Sequence, residues 1–128
     1  MEKRKVSFKD NQDKKLRGYL YIPDGKGPFP AVVFVHGFTG GTNEIKNRFM
    51  CDRLCDEGFV VLMFDFYDKP NGLSERKLEN TNVTYQVEAT GCAIDFVEKL
   101  SFVDKERIGL TGHSLGGMTA VLYAAKKD

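Results

Sequence analysis

Gly112-His113-Ser114-Leu115-Gly116-Gly117 decides the reading of this chain. The stretch stands between a short apolar run, Arg107 to Thr111 (R-I-G-L-T), and a longer one, Leu115 to Lys126, that repeats apolar residues at helical spacing. A serine in the pattern G-x-S-x-G at a strand-to-helix turn occupies a tight apex. Side chains two residues to either side would collide there, so Gly112 and Gly116 leave the room the turn needs. Such a turn holds the Ser114 hydroxyl clear of the backbone. The following helix start offers exposed N–H groups and the positive end of its dipole, which makes the Leu115 N–H a natural donor to negative charge formed beside the serine.

A second loop has the same placement. Ala31 to Val35 (A-V-V-F-V) is continuously apolar, too short for a helix and without the alternation of a half-exposed strand, which predicts a central strand buried on both faces. It runs into His36-Gly37-Phe38, the start of a glycine-rich loop from His36 to Asn43. A tetrahedral oxyanion is best stabilised by two preorganised N–H donors, and Phe38 offers the second, with Gly37 permitting the close backbone approach. The chain has two histidines. His36 reads as a hydrogen-bonding residue that shapes its loop, and His113 is directed away from Ser114 by the sharp turn, so neither is a good general base.

Working outward, Val6 to Phe8 and Leu16 to Ile22 form a β-hairpin about the polar stretch Lys9 to Lys15, with Leu16, Gly18, Leu20 and Ile22 on one face. P-D-G-K-G-P-F-P then interrupts the chain. A helix is predicted from Glu44 to Glu57, with Ile45, Phe49, Met50 and Leu54 on one side and Gly58 ending it. Phe59 to Phe64 is a second buried strand, Asp65 to Leu78 a polar loop, and Thr81 to Leu100 a second helix. The run Arg107 to Thr111 is a third buried strand, and the last helix turns Met118, Val121, Leu122 and Ala125 inward. Alternation of this kind predicts one α/β domain over residues 1–128: a hairpin leading into a mostly parallel sheet with helices on both faces. Ligands of such sheets bind at the carboxyl ends of the strands, where both glycine-rich loops fall.

Composition narrows the partner. Lys and Arg number 19 against 18 Asp and Glu, so the formal net charge is +1 and no field favours nucleic acid or an anionic membrane. The start of the chain has no apolar run behind its basic residues, and no stretch is long and apolar enough to span a bilayer, which points to the cytoplasm. Cys51, Cys55 and Cys92 make an odd count without a secretory context, and buried reduced thiols are the simpler reading than a disulfide or a metal pair at Cys51 and Cys55. Asp65, Asp68 and Glu75, near the active face, read as members of a solvated loop rather than of a polar site. Phe38 and Tyr67 are candidates to line an acyl or aromatic pocket, or else to pack in the core.

Taken together, V-F-V-H-G-F, then Asp65-Phe66, then T-G-H-S-L-G-G-M resemble the α/β-hydrolase superfamily from about Leu16 to Asp128, and within it the small bacterial and archaeal serine esterases, cinnamoyl or feruloyl esterase-like and acylaminoacyl-peptidase-like. The resemblance implies Ser114 as nucleophile, Phe38 and Leu115 as oxyanion-hole donors, a small-molecule ester as substrate, and no metal or organic cofactor. After the strand ending at Asp65 many such esterases carry an arginine and glycine-rich turn, whereas this chain reads D-F-Y-D-K-P-N-G-L-S-E to Glu75. The family's chain order is serine, acid, histidine, and after Ser114 the only acid is Asp128 and there is no histidine.

By that order these residues supply the N-terminal half of such an enzyme, and the chain alone is expected to be very weak or inactive. Two other readings stay open: a non-catalytic minimal folding or binding domain, and a half-enzyme completed by another chain. Without a neighbouring strand, residues 108–111 are expected to form an exposed sheet edge through which copies self-associate, and helix Glu44 to Glu57 to expose apolar surface.

Overall fold

The computed structural model describes residues 1–37, 42, 44–66 and 82–127. Within them the chain runs β1 (Glu2–Lys9), β2 (Lys15–Ile22), β3 (Phe29–Val35), α1 (Ile45–Asp56), β4 (Val60–Phe64), α2 (Val83–Glu98), β5 (Val103–Gly112) and α3 (Leu115–Lys127). The strands form one sheet in the order β1-β2-β4-β3-β5. The hairpin strands and the β2–β4 pair are antiparallel, whereas β4, β3 and β5 run parallel. This is the expected hairpin leading into a parallel sheet, with β1 and β5 as its edges.

Two apolar layers line the sheet. Because side chains alternate along a strand, Leu62 and Phe64 of β4 join Val33 and Val35 of β3 and Leu20 of β2 on the face covered by α2 and α3. The intervening Val61 and Met63 meet Phe34 and Tyr21 on the face covered by α1. The second face of β2, mixed in sequence, is therefore buried as well at Tyr21. At Gly18 a side chain would overlap the backbone of Met63 and Phe64, so the missing Cβ is what lets β2 approach β4.

Helix boundaries follow local chemistry. Asn82 caps α2 by accepting from the Tyr85 N–H at 2.8 Å. At the end of α1, Gly58 takes φ +100, and the Gly58 and Phe59 N–H groups bond the Cys55 and Leu54 carbonyls at 3.0 and 3.2 Å, a Schellman ending. The inward face of α3 differs from the expectation, whereas α1 exposes apolar surface as expected. On α1 the buried residues are Asn47, Cys51 and Cys55, while Ile45, Phe49 and Met50 are exposed. On α3 it is Gly116, Thr119 and Ala120 that pack inward, and Met118, Val121, Leu122 and Ala125 that face out. Both helices lie close to the sheet on small or polar residues, and most of their apolar stripes are left on the outside.

The β5 strand also departs from a fully buried strand. Ala31 to Val35 pair with Ile108 to Gly112, but between Phe29 and Ala31 the register slips, and Asp104 to Arg107 form an exposed bulge. There Asp104 accepts from Arg107 Nε at 2.8 Å and from the Glu106 N–H at 3.0 Å, and these bonds, that of Arg107 foremost, hold its carboxyl below the usual carboxylate range. Beyond the bulge Ile108 and Leu110 are half-buried and Gly109 is exposed, because β5 has a neighbour on one side only.

Candidate active site

The end of β5 and the start of α3 are joined by His113 and Ser114 alone. Ser114 takes φ +58, a left-handed conformation that costs an L-residue about 1–2 kcal/mol. Three backbone hydrogen bonds define the turn: His113 N–H to Val35 O at 3.3 Å, Gly116 N–H to His113 O at 2.9 Å, and Met118 N–H to Ser114 O at 3.3 Å. A Cβ on Gly112 would overlap the backbone of Gly116, and one on Gly116 would overlap the Val35 carbonyl. The steric account of the two glycines therefore acquires definite partners, and Gly116 adds a contact with β3 that the motif alone does not reveal.

Ser114 is exposed at this apex, and Leu115 is the first residue of α3, where N–H groups lack helical partners. Gly37 closes the other side. A Cβ there would lie 3.0 Å from the His113 carbonyl and 3.4 Å from Ser114 Cβ, so the chain leaving β3 passes directly against the turn. Phe38, which follows, lies outside the described residues, as do Tyr67, Asp68 and Glu75.

His36 is buried at 1% exposure with both ring nitrogens engaged. The Phe66 N–H donates to Nε2 at 3.1 Å, which requires Nε2 to be unprotonated, so Nδ1 carries the proton and donates it to the Gly37 carbonyl at 2.6 Å. Its ring packs against Phe66 with centroids 4.9 Å apart. His36 is thus a shaping residue, as its position beside a glycine suggested. His113 is exposed and borders a shallow cavity of about 270 Å³ with Phe34, Asn47, Met50 and Thr111.

Residues whose part the sequence did not reveal hold the surroundings. Asp65, read as part of a solvated loop, is buried at 1% exposure and accepts from both the N–H and the hydroxyl of Thr42. On the opposite side of the turn Thr119 donates to Gln86 at 2.8 Å, a buried polar link between α3 and α2. Neither pairing has a local signature, since the partners stand 23 and 33 positions apart. The thiols stay outside this chemistry: burial pushes Cys51 up to about 12 and Cys55 up to about 11, so both are protonated at neutral pH. Among the described residues no three metal-ligating side chains come together, and no helix is long and apolar enough to cross a membrane.

Similarity to known proteins follows the same geometry. The chain is 31% identical over 134 residues to an Aquifex aeolicus (strain VF5) protein provisionally named carboxymethylenebutenolidase, covering 94% of this chain and 54% of the relative. It is 30% identical to the quorum-quenching protein AidA of Acinetobacter baumannii (strain MDR-ZJ06), covering 93% of this chain and 38% of that one. The chain thus spans about half the length, or less, of these curated relatives. Among solved structures, Est1E of Butyrivibrio proteoclasticus with ferulic acid bound superposes with a TM-score of 0.84 at 28% identity, over 95% of this chain and 47% of Est1E. The α/β hydrolase GrgF of Penicillium sp. sh18, at 23% identity and a TM-score of 0.85 over 98% of this chain and 42% of GrgF, shows the shared fold. The sequence profile of the dienelactone hydrolase family matches residues 16–128, nearly the whole chain, and the chain belongs to that family of α/β hydrolases.

Proposed function

We propose that these residues form the nucleophile-bearing part of a serine hydrolase of carboxylic esters, acting through an acyl-enzyme at Ser114. The observation that carries the reading is the left-handed Ser114 at an exposed strand-to-helix apex, with glycines where any side chain would strike backbone. Strain of this kind persists where the surrounding structure imposes it, and it gathers at working sites.

In the proposed reaction Ser114 Oγ adds to the ester carbonyl carbon and gives up its proton to a general base. The carbonyl oxygen becomes an oxyanion, stabilised by the Leu115 N–H at the start of α3 and by the Phe38 N–H. Collapse expels the alcohol, protonated by the same base, and leaves an acyl-serine. Water then repeats the sequence and frees the acid and the serine. No metal or organic cofactor takes part in this scheme.

The base is the missing element within these 128 residues, since His36 spends both nitrogens on its neighbours and His113 adjoins the serine within the turn. Serine without a base is a weak nucleophile at neutral pH, so this chain alone is expected to turn over ester very slowly. We place it in the cytoplasm on the ground of its three free cysteines. The names of the relatives support acyl chemistry in the family, and ferulic acid in Est1E is compatible with an aromatic acyl group.

The test is long incubation with excess fluorophosphonate, read by intact mass and peptide mapping, beside p-nitrophenyl acetate turnover. We expect a slow single adduct on Ser114, absent from Ser114→Ala, and turnover barely above background. An adduct elsewhere, or none, removes Ser114 as nucleophile. Turnover at the rate of ordinary esterases, abolished in Ser114→Ala, removes the expectation of a weak chain.

A further inference from the structure

The chain between β3 and α1 is held at both of its described ends by the end of β4. At the first end, the His36 ring bridges the Gly37 carbonyl and the Phe66 N–H, at 2.6 and 3.1 Å. At the far end, Thr42 is 2% exposed and all of its polar groups are engaged. Its N–H and hydroxyl donate to the two carboxylate oxygens of Asp65 at 2.7 and 2.8 Å, and its carbonyl accepts from Arg48 Nε at 2.9 Å. The anchors Asp65 and Phe66 are consecutive, so one strand end governs both places.

A buried carboxylate is costly unless its oxygens are well hydrogen-bonded. Here both carboxylate oxygens accept from one residue 23 positions away. They fix Thr42 relative to β4, and β4 is paired with β3, which delivers Gly37 to within contact distance of the serine turn. Arg48, in the first turn of α1, grips the same residue from the helix side.

We propose that Asp65 is a positioning residue for the site at Ser114: with Arg48 it clamps Thr42, so that both described ends of the segment that begins at Gly37, beside the serine turn, are tied to the end of β4. The proposal rests on the reading of Ser114 as nucleophile. It gives Asp65 a role through Thr42, without contact with substrate.

Asp65→Asn and Thr42→Val weaken the clamp with little change in volume, and Thr42→Ser retains both of its donors. Three quantities are compared with the unaltered chain: the rate of fluorophosphonate labelling at Ser114, the thermal midpoint, and amide hydrogen exchange at Thr42. We expect Asp65→Asn and Thr42→Val to slow labelling about tenfold or more, Thr42→Ser to label within about twofold of the unaltered chain, and Thr42 exchange to speed up in Asp65→Asn. Equal labelling in all four proteins overturns the proposal, as does slow labelling that Thr42→Ser fails to restore. Should Asp65→Asn and Thr42→Val not fold, the unaltered chain decides: a Thr42 amide that exchanges as fast as an unstructured peptide refutes the clamp, and a protected one supports it. Absence of any label on the unaltered chain refutes the nucleophile, and the clamp is then judged by exchange alone.

Discussion

Two described non-glycine residues take positive φ, Asp13 at +63 and Ser114 at +58, and they differ in what local chemistry explains. Asp13 lies in the β1–β2 turn, where a short polar side chain tolerates the left-handed conformation. Ser114 sits between a strand and a helix with no such excuse. Relieving its strain is therefore expected to stabilise the fold: Ser114→Gly should exceed Ser114→Ala by about 1 kcal/mol in denaturant unfolding, with both variants unlabelled by fluorophosphonate. If Ser114→Ala is as stable as Ser114→Gly, the turn is unstrained and its resemblance to a nucleophile turn loses its physical basis. At this scale the sequence was informative, because Gly112, Ser114 and Gly116 act within five residues of chain. Asp65 was misread as solvated because its partner Thr42 is distant in sequence and adjacent only after β3 and β4 pair.

Among the elements, glycines separate two kinds of strand. Gly116 opens α3 against the Val35 carbonyl, so Gly116→Ala forces backbone apart where β3, β5 and α3 meet. We expect it to cost about 3 kcal/mol and to lower the thermal midpoint by on the order of 10 °C. Gly109 lies at the same sheet edge with open space around it, so Gly109→Ala should leave the midpoint within about 2 °C by differential scanning calorimetry. Equal effects would mean that the contact with Val35 is not what Gly116 serves. Helices were legible as helices, but the orientation of α3 was not. Periodicity finds an apolar stripe, and in α1 and α3 that stripe is turned outward while Cys51, Cys55, Thr119 and Ala120 face the interior.

The whole molecule has two unlike sheet edges. β1 is guarded by Lys3, Arg4 and Lys5, all exposed, the kind of charge that deters strand pairing. Along β5, Ile108 to Gly112 carry no charge, and Ile108, Gly109 and Leu110 border a groove of about 590 Å³ with Ile94, Ala120 and Val121, flanked by Glu98 and Lys105. We propose that copies of this chain associate through residues 108–111. Sedimentation should show concentration-dependent dimers or larger species, returned to monomer by Leu110→Lys. A chain that stays monomeric at millimolar concentration, or oligomers indifferent to Leu110→Lys, would rule that edge out.

The alternation of strands and helices, the two central strands, the serine turn with its paired glycines, and the structural character of His36 were legible from sequence, because each depends on neighbours within a few residues or on a run of apolar side chains. Only the assembled fold settles which face of α3 is buried, that β5 lies at an edge behind a charged bulge, and that a buried carboxylate at the end of β4 holds Thr42. Those features come from contacts between residues brought together by strand order, and strand order is set by which surfaces pack, a property of the assembled sheet rather than of any stretch within it.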